Sequence, residues 1–431
     1  MKRRDFLSHT SLLLGSSLLP VSHLLHASTA LPALNTADWK GLRQQFALTH
    51  DYIHLATFLL ASHPKPVAEA IERHRKAFDA NPADYWHEHF MTIDHQIAAA
   101  AAEYMGGNAE QIALTDSTTM GLAMVYSGLK LRPGDEILQT VHDHYSTDLS
   151  LQLRADRTGA KVRQVSLYDD PAQVSVDEVV TKLKAAINAK TKVVVVTWVH
   201  SSTGVKLPVR AIANLLQEQN NKRTDADQIV FCVDGVHGFG IENVDVSTLG
   251  CDFFIAGTHK WIFGPRGTGV IWGSKHGWQH CNAVIPSFSQ SYDVWLGGST
   301  QDQVPIGEHM TPGGFHSFEH RWALPEAFKL HLQLGKAEVQ ARIHQLNSQT
   351  KQGLAKMAGV KLYTPMSPEL SSGLVCFDYK QMAPDDVVNA MHKKGVIMSA
   401  TPYRKSYARF APSLINNEQE IDTALAALAS V

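Results

Sequence analysis

Between residues 95 and 273 the chain alternates between two hydrophobic periods. Short β-branched runs (EILQTV, VRQVSL, VVVVTWV, IVFCVD, DFFIAG and GVIWG) are separated by stretches with helical spacing, among them 176–189 and 209–219. Runs that are apolar at nearly every position predict strands buried on both faces, as in a mostly parallel sheet layered between helices. An Ala-rich helix at 95–105 leads through Gly106-Gly107 to IALTDSTT and an apolar helix ending near Leu129. Ahead of this block, residues 36–90 predict an arm with the extended run YIHLATFLL and a helix at 65–79. Beyond about Gly307 the pattern changes to one long helix at 324–345, strands VKLYT and GLVCFDY, a helix at 384–394 and a last helix from Glu418. That change predicts a second, α+β domain, dividing the chain into an arm (36–90), a large domain (91–306) and a small C-terminal domain (307–431).

The first thirty residues predict no part of this fold. Arg3-Arg4-Asp5-Phe6-Leu7 precedes an apolar stretch at 11–21 and the small residues Ala27, Ser28, Thr29 and Ala30. A basic start, a short apolar middle and a small-residue cleavage site make an export signal over 1–30, too short for a stable membrane span. Paired arginines followed by x-Phe-Leu are the twin-arginine variety, whose export machinery carries folded proteins; a periplasmic location is expected. The 431 residues, 44% hydrophobic and 19% charged, can bury a large core. A formal net charge of −2 gives no ground for a nucleic-acid partner, which leaves small-molecule chemistry. Four cysteines show no CxxC or zinc spacing, and Cys232 and Cys376 sit in apolar runs as small buried hydrophobes.

Polar residues cluster at strand ends, where open α/β sheets hold ligands. Asp234 closes IVFCVD and is followed by Gly235-Val236-His237-Gly238; Gly257-Thr258-His259-Lys260-Trp261 follows DFFIAG. A strand-end Asp and a strand-end Lys suit pyridoxal 5'-phosphate (PLP): the amine condenses with the aldehyde, and the carboxylate keeps the pyridine nitrogen protonated. Trp261, Ile262 and Phe263 would desolvate the ammonium and lower its pKa. Asp116-Ser117-Thr118-Thr119 before a helix offers hydroxyls and free amides to a phosphate. His144, in the run His142-Asp143-His144-Tyr145, follows EILQTV and can lie flat on the cofactor ring. Ser201 follows VVVVTWV within reach of the cofactor's phenolic oxygen. His142 and His144 suggest a metal, but the chain has no HExxH and no Cys/His pairing at ligand spacing, so no metal is expected.

In VDGVHG and GTHKWIFGPRGTGVIWG above all, the chain from about Tyr52 onward resembles the class V aminotransferases. This fold-type I PLP family includes cysteine desulfurases, serine–glyoxylate and phosphoserine aminotransferases, kynureninase and isopenicillin N epimerase. Together with the signal, it also resembles periplasmic PLP enzymes of pyoverdine siderophore maturation. The resemblance implies a mostly parallel seven-stranded sheet in a large α/β domain plus a smaller α+β C-terminal domain, and a homodimer. It implies Lys260 as the Schiff-base lysine, Asp234 as the pyridine-nitrogen partner and His237 at the phenolic oxygen. His144 matches the ring-stacking histidine; Thr118 and Thr119, beside Ser117, match the phosphate pair; His259 matches a phosphate-contacting histidine. Arg409 matches the arginine that grips a substrate α-carboxylate. Three departures stand beside this. Ser201 replaces an Asn common in the family. The cross-subunit Gly-Thr clamp falls either at Gly298-Ser299-Thr300 or in the loop 313–321. No cysteine lies between Gly395 and Arg409, where desulfurases keep their nucleophile. The expected activity is therefore on the amino group or α-carbon of an amino-acid-type substrate, first as an aminotransferase. Epimerase-like racemisation, elimination or oxidative decarboxylation is the alternative, and a catalytically silent PLP-binding protein is the alternative of another class.

Overall fold

The structure is a computed structural model describing residues 38–431; the expected export signal at 1–30 lies outside the described residues. Its strands are β1 (Ile53–His54), β2 (Ile112–Thr115), β3 (Glu136–Thr140), β4 (Lys161–Val165), β5 (Thr191–Thr197), β6 (Val230–Asp234), β7 (Phe253–Gly257), β8 (Gly269–Gly273), β9 (Val360–Leu362), β10 (Val375–Tyr379), β11 (Val396–Ile397), β12 (Ser399–Ala400) and β13 (Ala408–Phe410). Seven form the central sheet in the order β2-β8-β7-β6-β5-β3-β4, in which β8 alone runs against its neighbours.

The uninterrupted apolar runs have the expected cause. Every residue of β5 is buried, and successive side chains leave the sheet on opposite faces. Val194 and Val196 join Phe231, Val233 and Phe254 in one core, under the helices Ile93–Met105, Val209–Asn220 and Leu324–Leu334. Val193 and Val195 join Val230, Cys232, Phe253 and Ile255 in the other, under Thr118–Gly128 and Tyr145–Thr158. At about 1.5–3 kcal/mol for each large apolar side chain buried, both faces must be covered, and the alternation of strand and helix supplies the cover. The edge strand β4 instead exposes Lys161 and Gln164, which discourages pairing with another sheet.

The small domain is built on the antiparallel sheet β12-β13-β10-β9. The helices Lys336–Ala355, Pro384–His392 and Glu418–Ala429 pack on it through Leu346, Val387 and Ile421. Of the extended run in the arm, only β1 is a strand, and it pairs in parallel with β11, Ile53 opposite Val396. The helix expected over 324–345 is two helices, Leu324–Leu334 and Lys336–Ala355. Gly335 between them takes φ +81°, a left-handed conformation that no helix interior holds and that glycine adopts freely. The first of these helices contributes Phe328 to the large sheet's core. The change of pattern near Gly307 therefore precedes the change of layer, which comes at Gly335.

Candidate active site

The carboxyl ends of β3, β5, β6 and β7 open into a cleft of about 290 Å³, and ten residues expected from sequence to hold cofactor or substrate line it: Ser117, Thr118, Thr119, His144, Ser201, Asp234, His237, His259, Lys260 and Arg409. The cleft sits where β3 has β4 on one side and β5 on the other, a reversal of strand order that leaves the strand ends uncovered.

One end of the cleft is built for an anion. Ser117 caps the helix Thr118–Gly128, its Oγ accepting the Met120 N–H at 3.1 Å. Thr118 Oγ1 accepts the Gly257 N–H at 2.9 Å, so its own O–H remains free to donate. A Cβ on Gly257 would lie 2.9 Å from that hydroxyl and 3.0 Å from the His259 ring, so glycine is needed for β7 to approach the helix start. His259 Nδ1 is buried without a hydrogen-bond partner among the described residues.

The same cleft carries a titratable pair, Asp234 and Lys260. Asp234 is 2% exposed, and the one hydrogen bond to its carboxylate among the described residues comes from the Val236 N–H at 3.1 Å. Burial lifts its carboxyl from 3.8 to about 6, against the pull of that bond and of Lys260. Lys260, half-buried in the cleft, is pushed down to about 8 by desolvation, with Asp234 opposing the shift. Lys260 Nζ lies 3.5 Å from His237 Nε2, while the Trp261 indole N–H donates to His237 Nδ1 at 3.4 Å. Since indole is only a donor, the neutral His237 ring carries its proton on Nε2, facing the lysine; burial and the nearby cations keep it neutral. These residues fit PLP. A buried carboxylate with unused acceptor capacity suits a protonated ring nitrogen, and an unpartnered imidazole, a free hydroxyl and a helix start suit its phosphate.

His144 is held by the turn after β3. Its Nδ1 accepts the Ser146 N–H at 3.2 Å and lies 2.6 Å from Ser146 Oγ, and burial together with Lys260 and Arg409 lowers its pKa. The turn is fixed by Asp143, which the sequence reading passed over. Its carboxylate accepts from the Thr140 N–H at 2.7 Å and from the Thr197 N–H and hydroxyl, both at 2.8 Å, joining the ends of β3 and β5. An Asp one residue before a cleft histidine was the available signal. His142, by contrast, stacks on Tyr168 at 4.1 Å and 9°.

Arg409 projects from β13, an inner strand of the small sheet, and is 1% exposed. Its Nη1 donates to the Ser201 carbonyl at 2.7 Å and its Nε to Ser399 Oγ at 3.1 Å. No carboxylate pairs with it among the described residues, which leaves the rest of the fork for a ligand. Ser201 Oγ bonds the hydroxyl of Tyr403 at 2.7 Å, a second residue that sequence reasoning missed. Neither Gly298-Ser299-Thr300 nor the loop 313–321 lines this cleft. Arg321 turns instead to Asp94 at 3.7 Å and to Asp116, the residue before Ser117, at 3.4 Å. All four cysteines are free and buried, and burial pushes the thiols of Cys281 and Cys376 up to about 12.

The sequence profile described as Aminotransferase class-V matches residues 60–403. Isopenicillin N epimerase of Streptomyces clavuligerus is 27% identical over 352 residues, 79% of this chain and 84% of its own length. A probable cysteine desulfurase of Halalkalibacterium halodurans is 27% identical over 326 residues, 73% of this chain and 75% of its own. Among solved structures, a C-DES mutant with glycine covalently linked to its PLP cofactor superposes with a TM-score of 0.80 at 22% identity, covering 90% of this chain and 98% of that one. The cystine C-S lyase C-DES with its product cysteine persulfide gives 0.79 at 22% identity, covering 88% and 98%.

Proposed function

The chain belongs to the class V aminotransferase family of PLP-dependent enzymes, and from that membership we propose that it acts on the amino group or α-carbon of an amino acid or an amino-acid-containing compound, transamination being its first reaction. When bound, PLP supplies an aldehyde that accepts the substrate amine and a protonated ring that draws electrons from the α-carbon. The chain's own residues do the rest. Asp234 holds the ring nitrogen's proton, and the start of the helix Thr118–Gly128 with His259 holds the phosphate. His144 and the Nε2–H of His237 orient the ring, and Arg409 takes the substrate carboxylate in a charge-assisted fork. Lys260 Nζ would serve as the base that moves the α-proton; a pKa near 8 lets a useful fraction act so at neutral pH.

The observation that carries this reading is a lowered-pKa lysine in one cleft with an unpaired buried carboxylate and an unpaired buried guanidinium. Desulfuration is not proposed, because the four cysteines are buried and the loop before Arg409 holds none. A silent PLP holder would have no use for a base poised beside Arg409. Single-turnover mixing with a panel of amino acids, without an acceptor, tests the proposal. One equivalent of 2-oxo acid per site supports transamination; racemised, decarboxylated or β-cleaved product in its place overturns it.

Those last outcomes belong to a second reading, epimerase-like racemisation, elimination or oxidative decarboxylation. It is favoured by the Tyr403 hydroxyl bonded to Ser201, which lines the cleft with Arg409 and would offer a second proton source there, and by relatives named epimerase and lyase. In that form, an exported enzyme would suit siderophore maturation of the pyoverdine kind. Export to the periplasm by the twin-arginine machinery rests on Arg3-Arg4 and the apolar stretch after them. A homodimer is supported by an exposed face bearing Phe288, Tyr292, Trp295 and Phe315.

A further inference from the structure

We propose that Phe58, in the arm, is the positioning residue that holds the Arg409 guanidinium ready for a carboxylate, and so sets a preference for carboxylate-bearing amines over plain amines. The inference rests on the reading of Arg409 as the carboxylate site.

Phe58 is 2% exposed and lines the cleft. Its ring centre lies 4.4 Å from Arg409 Cζ. The same ring stacks on Trp261, the neighbour of Lys260, at 5.8 Å and 15°, and meets the edge of His237 at 5.5 Å. One aromatic side chain thus touches the carboxylate-binding cation and two residues beside the lysine. The strap bearing it is tied at both ends. Leu55 donates to the Ile397 carbonyl and accepts from the Ala411 N–H, both at 2.8 Å, which anchors it to the small domain. The Ala61 N–H donates to the His259 carbonyl at 3.3 Å, which anchors it to the lysine loop.

The chemistry explains why a ring is wanted there. A buried guanidinium needs compensation, and a protein carboxylate would supply it while occupying the fork that the substrate must use. An aromatic face attracts the cation and fixes its plane without taking any N–H. The Ser201 carbonyl and Ser399 hydroxyl take two N–H groups; the ring, 4.4 Å from Cζ, takes none, and the remaining donors are left for a carboxylate. As mere core filling, Phe58 would affect every ligand alike.

The test uses the PLP-loaded full chain and two carbonyl-reactive probes, aminooxyacetate and O-methylhydroxylamine, which share a nucleophile and differ in a carboxylate. Second-order rates are read from the change in cofactor absorbance, and melting temperature is read in parallel. Phe58→Leu should lower the aminooxyacetate-to-O-methylhydroxylamine rate ratio about 10- to 30-fold, the effect of losing a desolvated cation–π contact. Phe58→Tyr should restore the ratio, and Arg409→Gln should lower it at least as far as Phe58→Leu. If Phe58→Leu fails to load cofactor, Phe58→Met, of similar volume and without a ring, gives the same comparison. An unchanged ratio in Arg409→Gln overturns the Arg409 reading and this proposal together. A lowered ratio in Arg409→Gln with equal slowing of both probes, or no change, in the Phe58 variants overturns the proposal alone.

Discussion

Asp234→Asn should stabilise the cofactor-free protein and destabilise the loaded one. The carboxyl is 2% exposed with one hydrogen bond, and burial lifts it from 3.8 to about 6. A carboxyl with a raised folded pKa holds its proton more tightly in the folded state than in the unfolded chain. Its contribution to stability is therefore whole below about pH 4 and is lost as the pH rises to about 6. Above that, the gap corresponds to about 3 kcal/mol, at about 1.4 kcal/mol per pH unit. Part of the gain from Asn is offset because Lys260 loses the carboxylate that favours its charged form, leaving about 1–3 kcal/mol. With PLP bound, the same substitution removes the partner of a protonated ring nitrogen, a loss of about 3–5 kcal/mol. Thermal melts of both proteins, with and without PLP, from pH 4.5 to 8 would test this. At pH 7.5 the Asn variant should melt higher than the parent when free and lower when loaded, and the free-state difference should shrink toward pH 4.5. A shift of the same sign in both states, or a free-state difference independent of pH, would refute the reasoning.

Lys260→Ala should abolish covalent attachment of PLP while the phosphate site still binds it; borohydride reduction and peptide mapping that label another lysine would displace Lys260. Thiol titration of the native protein should find no rapidly reacting cysteine, since all four are buried, and a fast-reacting thiol would reopen desulfuration. Replacing Arg3 and Arg4 together with Lys should leave folded, PLP-loaded protein in the cytoplasm; normal periplasmic accumulation of that variant would count against the twin-arginine route.

Much of the molecule is written locally in the chain. The all-apolar runs state that their strands are covered on both sides, because a side chain leaves each face at every second residue. The residues that end those strands, Asp234, Lys260, His144 and Ser201, fall into one cleft because parallel strands bring their carboxyl ends to the same edge. That is why a reading along the sequence found ten cleft residues on several separate segments. Other features belong to the fold alone. The break at Gly335 lies within an unbroken hydrophobic pattern, and only its left-handed φ shows the chain turning toward the small sheet. Asp143 looked like one polar residue among histidines; its work is to join β3 to β5, a contact between positions 54 residues apart. Tyr403 and Phe58 gain their neighbours only when the small sheet and the arm close over the lysine loop, which puts Phe58 on Arg409 across more than three hundred residues of chain. The kind of chemistry was legible because it depends on residue types at strand ends. The arrangement around the substrate carboxylate was not, because it depends on which distant segments the packing brings together.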